Sequence, residues 1–319
     1  MSERSASNPG VGRRLIAAVA RPLFRAACAA GRPIGGVRPR RVYDWLGRLA
    51  HPVAEFGWSR NRWGDELYLS PHYHIDRNIL IFGTYDADLH QAIENLVRPG
   101  MVSFDVGANL GEVALHMARR VGPGGQVHAF EPAPPIYERL RLHVERNRLG
   151  NVVHAHPIAL ADLTGPCTIA FPGAEQDNQG LGSIVNLGPK SGAARATASA
   201  MTLDDFMTHR GLARLDLMKV DIQGGEPALL RGGRRTLTEL GPDLLMEISP
   251  EDLRAAGSDS RELCRMLEEY AYEIHHLIGG RVGQRIFARD VTPGFAATNV
   301  YCTPAAERRK NVAHGASRG

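Results

Sequence analysis

The chain has 319 residues, of which 43% are hydrophobic and 23% charged; this length and balance suit one large α/β domain with additions, or at most two domains. The net charge of +4 does not indicate a nucleic-acid partner. Four widely spaced cysteines without a CxxC pair indicate reduced thiols in a cytoplasmic protein, and no apolar run is as long as a membrane span.

Arginines crowd the first fifty residues, where only Glu3 and Asp44 oppose them. Residues 1–36 are therefore predicted to form a basic, flexible arm. Because apolar side chains alternate with arginines between Leu15 and Phe24, a helix that contacts the inner membrane surface or a partner is the alternative interpretation.

Residues 37–80 are predicted to form an N-terminal addition ahead of the first core strand. Within it, Glu66–Leu69 alternates like a strand, and His72–Ile75 is expected to pair with that strand. Asp86–Val97 has the apolar spacing of a helix.

The stretch from Met101 to Gly111, MVSFDVGANLG, predicts a strand that ends at Asp105, followed by a tight turn and a helix. The turn contains Gly107, Ala108, Asn109 and Gly111. Glycines in such a turn let the backbone approach a ligand, and the amides at the start of the following helix favour an electron-rich group.

A second strand, Gln126–Phe130, ends at Glu131. An acidic residue at the tip of the second strand of a doubly wound sheet is placed to bind both hydroxyls of a ribose. The turn lacks the middle glycine of the dinucleotide fingerprint, and the carboxylate of Asp105 would repel a pyrophosphate but suits an ammonium group. Both features favour S-adenosylmethionine over NAD.

The middle of the chain continues the α/β pattern. The predicted elements are a helix over Ile136–Leu149, a third strand over Val152–His156, a turn over Pro157–Asp162, a short strand over Cys167–Phe171, a long loop over Pro172–Ser199 and a helix capped by Thr202. Asp162 is expected to lie near the adenine ring, where it would accept the exocyclic amino group; an ordinary turn aspartate is the alternative.

Acidic residues also follow the later strands. The fourth strand, Leu215–Asp221, ends in Asp221, the next helix carries Glu226 in its first turn, and the fifth strand, Asp243–Ile248, has Glu247 near its end. The remaining predicted elements are a helix over Glu251–Tyr270, a sixth strand over Tyr272–Ile278, a hairpin arm over Arg281–Ile286 and a seventh strand over Thr298–Cys302. Because ligands of open α/β sheets bind at the carboxyl ends of strands, these acids are expected to gather at one site.

Four motifs in this order, FDVGANLG, AFEP, LMKVDIQGGE and LLMEI, resemble the FkbM family of S-adenosylmethionine-dependent methyltransferases, over Glu66 to Pro304. The chain departs from the family pattern at Gln223, where an acid is usual, and at Gly225, where a larger residue is common. The resemblance implies a Rossmann-like class I methyltransferase fold, with a seven-stranded, mostly parallel sheet and helices on both faces.

The resemblance also implies methylation of a hydroxyl on a sugar, a glycolipid or a polyketide-type natural product. The predicted cofactor residues are Asp105, Gly107, Ala108, Asn109, Gly111, Glu131, Pro132 and Asp162. Glu131 would hold the ribose, the turn the methionine moiety, and Asp105 the amino group, directly or through water. Asp221 is the first candidate to orient or deprotonate the acceptor; Glu226 and Glu247 would share this work or fix Asp221 and its loop. No metal is predicted, because Asp221 and Glu247 lack a third ligand.

The predicted domains are the arm at 1–36, the addition at 37–80, which would cover the substrate cleft, the methyltransferase domain at 81–304 and a disordered tail at 305–319. Two rivals remain: an NAD-dependent oxidoreductase, and a non-catalytic protein that retains the cofactor fold. The expected partners are a small-molecule or glycolipid acceptor and, through the arm, the inner membrane surface, but no nucleic acid.

Overall fold

The structure of this chain is a computed structural model that describes residues 57–172, 183–184, 193–292 and 294–306. The chain divides into two compact units, with the boundary between Tyr85 and Asp86. The predicted arm and nearly all of the predicted tail lie outside the described residues. None of the described helices is long and apolar enough to cross a membrane.

In the first unit, the described residues 57–85 form a two-stranded antiparallel sheet and one helix. Strand β1, Gly57–Arg60, pairs with β2, Glu66–Leu69, and helix α1 spans His74–Phe82. The prediction that His72–Ile75 pairs with β2 is wrong, because Ile75 lies in α1. The carboxylate of Asp76 in the first turn of α1 accepts the backbone N–H of Ser70 at 2.8 Å, which ties the helix to the end of β2.

The second unit alternates strands and helices. Its strands are β3 Val102–Val106, β4 Gln126–Phe130, β5 Val153–His156, β6 Ile158–Ala161, β7 Gly165–Pro172, β8 Ser183–Ile184, β9 Ala193–Thr202, β10 Leu217–Val220, β11 Asp243–Ile248, β12 Tyr272–Ile278, β13 Arg281–Ile286 and β14 Thr298–Pro304. Its helices are α2 Ala87–Leu96, α3 Glu112–Val121, α4 Pro134–Arg146, α5 Leu203–His209, α6 Glu226–Gly232, α7 Arg234–Glu239, α8 Pro250–Ala255 and α9 Ser260–Glu269.

The main sheet has eight strands in the order β13-β12-β14-β11-β10-β3-β4-β5. Strands β11, β10, β3, β4 and β5 are parallel, and β14 is antiparallel to both of its neighbours. All seven predicted core strands are present, and the predicted hairpin arm adds β13 as an eighth strand at the edge. The strand order reverses beside β3, so ligands are expected where β3 and β10 end.

Side chains of β3 alternate between two helical layers, which confirms helices on both faces of the sheet. Phe104 faces a core in which its ring centroid lies 5.2 Å from that of Phe130 and 5.6 Å from that of Phe206 in α5. Helices α6 and α9 contribute Leu229 and Leu263 to the same core. On the other face, α3 packs on β3 and β4, and α2 packs on α3.

Three local predictions in the second unit are wrong. Pro157–Asp162 is not a turn, because β6 runs parallel to β9 in a separate four-stranded sheet of order β6-β9-β7-β8. The predicted loop Pro172–Ser199 includes the first part of β9 and the strand β8, although residues 173–182 and 185–192 lie outside the described chain. The single helix predicted for Glu251–Tyr270 is α8 and α9, since Gly257 is left-handed at φ +79° and a new helix begins after the cap Asp259.

Candidate active site

The turn after β3 and the turn after β10 lie side by side where the strand order reverses. The backbone N–H groups of Gly107 and Ala108 both donate to the carbonyl of Phe130, at 3.1 and 2.9 Å, which holds the first turn against the end of β4. The backbone N–H of Asp221 donates to the carbonyl of Val106 at 3.1 Å, so the second turn begins against the end of β3. The predicted cofactor turn and the predicted acceptor-side acid are therefore neighbours.

Gly107 is required by this close approach of two backbones. It has φ +76°, and a Cβ at this position would lie 1.9 Å from the carbonyl oxygen of Asp221. Gly111 also has a positive φ and is the N-cap of α3, where a Cβ would lie 2.5 Å from Leu140 Cδ1. The sequence predicted that these glycines let the backbone approach a ligand; in the structure each also lies close to a neighbouring element, Gly107 to a backbone oxygen and Gly111 to the end of a leucine side chain.

We expect Gly107→Ala to lower the free energy of unfolding by about 3–5 kcal/mol, because it combines a disfavoured backbone conformation with a clash against a backbone oxygen. Denaturant unfolding followed by circular dichroism would measure this. Gly124→Ala is the matched control, since a Cβ there has nothing within 4 Å; it should change the stability by less than about 0.5 kcal/mol. Equal stabilities of the two variants would contradict the packing described here.

Glu131 connects the tip of β4 to the cofactor turn. Its carboxylate accepts the backbone N–H of Asn109 at 3.0 Å and that of Ala133 at 2.9 Å. Asn109 itself is left-handed, with φ +51°, a conformation that asparagine tolerates better than most residues. Burial raises the pKa of Glu131 to about 7, although the two backbone donors oppose this rise. The predicted ribose ligand thus also shapes the turn.

Asp105 and Lys219 form a buried ion pair between β3 and β10. Their positions are directly opposite in the parallel register, and Lys219 Nζ lies 3.2 Å from Asp105 Oδ1 and 2.8 Å from the carbonyl oxygen of Gly107. Complete burial raises the pKa of Asp105, and Lys219 opposes this. Burial alone would lower the pKa of Lys219, but Asp105, Asp221 and Glu247 around it raise the pKa above its usual range.

Lys219 was not predicted as a site residue. A lysine inside the apolar run of β10 is the signal that could have identified it, because a buried ammonium requires a partner. The sequence alone does not show which carboxylate is that partner. Binding of an amino group by Asp105 stays a prediction.

In the turn after β10, the side-chain amide of Gln223 donates hydrogen bonds to two acidic side chains. Gln223 Nε2 donates to Asp221 Oδ1 at 2.8 Å and, with longer geometry, to Glu247 Oε2 at 3.4 Å. Burial, followed by the charge of Asp221 and a hydrogen bond with it, raises the pKa of Glu247 to about 8. Asp221 is about one-third exposed, so its carboxylate is accessible at the end of the sheet.

Glu226 stabilises the turn after β10 through hydrogen bonds to its backbone. Its carboxylate accepts the backbone N–H of Ile222 at 3.1 Å and that of Gly224 at 2.9 Å. The side chain is buried, and burial raises its pKa to about 7. Of the two roles open for Glu226 in the sequence, the geometry favours fixing the loop that carries Asp221.

The other predicted residues have distinct surroundings. Pro132 follows Glu131 directly and precedes Ala133, whose backbone N–H donates to the Glu131 carboxylate. Asp162 lies after β6 and pairs with Arg231, at 3.1 Å between Oδ2 and Nη2; its contact with adenine stays a prediction. Among the described residues, no group of three or more His, Cys, Asp or Glu side chains is arranged to hold a metal ion.

The strand order, the turn after β3 and the acids at the strand ends define a Rossmann-like methyltransferase domain of class I. The methyltransferase FkbM domain family matches residues 105–274. This chain therefore belongs to the FkbM methyltransferase family.

Two relatives illustrate the similarity. The 31-O-demethyl-FK506 methyltransferase FkbM of Streptomyces tacrolimicus is 32% identical over 163 residues, which cover 43% of this chain and 60% of that protein. The 2-O-methyltransferase NoeI of Sinorhizobium fredii is 29% identical over 174 residues, 49% of this chain and 67% of that protein. A crystal structure of the methyltransferase FkbM from Methylobacillus flagellatus aligns with 71% of this chain and 53% of its own at 18% identity, with a TM-score of 0.37.

Proposed function

We propose that this protein is an S-adenosylmethionine-dependent O-methyltransferase that acts on a hydroxyl of a sugar, glycolipid or polyketide-type natural product. The observation that carries the proposal is the contact between the two turns: Gly107 lies so close to the carbonyl of Asp221 that no side chain fits between them. A cofactor held by the first turn would therefore lie beside the carboxylates of the second.

The residues at the first turn fit the proposed cofactor. Asp105 Oδ2 is buried and has no hydrogen-bond partner among the described residues, as expected of an acceptor that meets an ammonium group directly or through water. Glu131 uses one acceptor position on each oxygen for a backbone N–H. Each carboxylate oxygen can accept a second hydrogen bond, so the ribose hydroxyls would be held without breaking the turn.

Bound S-adenosylmethionine would supply a methyl group on a positively charged sulfur. The acceptor hydroxyl must lose its proton as its oxygen attacks, and Asp221 is the partly exposed carboxylate at the end of β10 that can take this proton. Glu226 fixes the turn that carries Asp221. Alignment of donor and acceptor on two contiguous turns would supply much of the rate enhancement.

The named relatives support oxygen as the methyl acceptor. The Streptomyces protein is named a 31-O-demethyl-FK506 methyltransferase and the Sinorhizobium protein a 2-O-methyltransferase. The first name gives a demethylated form of FK506 as the substrate, and both names specify oxygen.

Calorimetric titration with S-adenosylmethionine, S-adenosylhomocysteine and NAD would test the proposed cofactor. The first two should bind and NAD should not; binding of NAD alone would overturn the proposal. Transfer of labelled methyl to a panel of sugars, glycolipids and macrolides would then test the reaction, and the activity should survive EDTA. Cofactor binding with no transfer to any acceptor would favour the non-catalytic alternative.

A further inference from the structure

Gln223 occupies a position that its backbone does not favour. Its φ is +53°, in the left-handed region, which residues with a side chain rarely adopt. Glu226 holds the turn in this conformation through the N–H groups of Ile222 and Gly224, which flank Gln223. The result is that the side chain of Gln223 reaches two carboxylates at once.

The carboxylate of Asp221 is held at both oxygens. Gln223 Nε2 lies 2.8 Å from Oδ1, and Lys219 Nζ lies 3.9 Å from Oδ2. A neutral donor on one side and a cation on the other restrict rotation of the carboxylate. Without the amide, Asp221 would keep its hydrogen bond with Glu247 and the more distant ammonium, which also pairs with Asp105.

A carboxylate in place of Gln223 would repel the Asp221 carboxylate instead of holding it. Four ionisable groups already act on one another here: Asp221 and Lys219 from β10 and its turn, Glu226 from α6, and Glu247 from β11. Asn299, which is opposite Glu247 on β14, is uncharged. The amide adds two donors and no charge, whereas a further acid would add repulsion against both Asp221 and Glu247.

We propose that Gln223 is a positioning residue for the acceptor side of the site: its amide joins Asp221 to Glu247 and fixes the orientation in which Asp221 meets the acceptor hydroxyl. The assignment of the acceptor side rests on the proposed function. The hydrogen-bonded link from Gln223 to Asp221 and Glu247 does not rest on the proposed function, so the link and the function can be tested separately.

The test compares Gln223→Glu and Gln223→Met with the native protein by ¹³C NMR titration of side-chain carboxyls, with Glu247→Gln used to assign the Glu247 signal. Glutamate adds a charge and methionine removes the donors, and both keep the length of the side chain. We expect Gln223→Glu to raise the pKa of Glu247 by about one pH unit and Gln223→Met by about half as much. Gln284→Glu is the matched control, because Gln284 is exposed on β13; it should leave the titration unchanged.

Binding of S-adenosylhomocysteine is the second measurement and should stay within about twofold of native in Gln223→Glu, Gln223→Met and Gln284→Glu, because the side-chain amide of Gln223 donates its hydrogen bonds to Asp221 and Glu247. Where the native protein transfers methyl, kcat should fall about 10- to 100-fold in Gln223→Glu with little change in the KM for the cofactor. A Glu247 titration that is the same in all variants would overturn the proposal. A shifted titration in a protein that transfers no methyl would support the link and contradict the proposed function.

Discussion

Asp221→Asn is expected to lower methyl transfer by about 10²–10⁴-fold, the contribution typical of a positioned general base. Asparagine has the same size as aspartate and can form a hydrogen bond with Gln223. Its amide, however, cannot remove the proton from the substrate hydroxyl. The backbone bond from Asp221 N–H to Val106 does not involve the side chain, so the turn should persist. Single-turnover transfer of labelled methyl at saturating cofactor would measure the loss.

Two controls separate catalysis from folding. Binding of S-adenosylhomocysteine to Asp221→Asn should remain near native, since the cofactor turn is held by Phe130 and Glu131. Asp290→Asn, at an exposed carboxylate on a turn remote in sequence from the site, should transfer methyl at the native rate. Undiminished transfer by Asp221→Asn would show that another group removes the proton.

Glu131→Gln is expected to weaken binding of S-adenosylmethionine by about 10²–10⁴-fold, because two hydrogen bonds to a charged acceptor contribute about 1.5–3 kcal/mol each. Although glutamine has the same size as glutamate, this exchange should weaken cofactor binding because of the backbone groups around the carboxylate. Both carboxylate oxygens accept a backbone N–H, one from Asn109 and one from Ala133. The amide nitrogen of glutamine would therefore face a donor in either orientation.

Calorimetry at neutral pH would measure this loss, with Glu138→Gln as the control at an exposed position of α4. The native protein should also bind the cofactor more weakly below neutral pH. The pKa of Glu131 is raised to about 7 by burial, so the carboxylate is progressively protonated as the pH falls through that value. If Glu131→Gln bound S-adenosylmethionine with native affinity, Glu131 would not be the ribose ligand.

Several predictions that depend on neighbouring residues were accurate. The helix predicted over Asp86–Val97 is α2, Ala87–Leu96, and Thr202 caps α5 as predicted, by accepting the backbone N–H of Asp205. The fifth strand has the predicted bounds, Asp243–Ile248. In each case the signal is a cap or an apolar period within a few residues, so the local sequence contains the information.

Other predictions failed where a distant segment supplied the partner, whereas the break at Gly257 in the predicted helix Glu251–Tyr270 has a local cause. The third strand does not end in a turn, since residues after Pro157 form β6 against β9, some forty residues later in the chain. Periodicity cannot distinguish a short strand from a loop when the pairing strand is remote in sequence. The FkbM motifs predicted the fold class, but they do not describe this small second sheet.

The sequence by itself determined the class of fold, the glycine turn, Glu131 at the tip of the second strand, and the acids Asp221 and Glu247, because strand ends and turns follow from local patterns. Only the tertiary structure showed the buried pair of Lys219 with Asp105, since that pair depends on the register of β3 against β10. It also showed Glu226 as a support of the turn and Gln223 as the link between two acids. These roles arise from side chains that meet in space, where burial strengthens the interaction of each polar group with its partner.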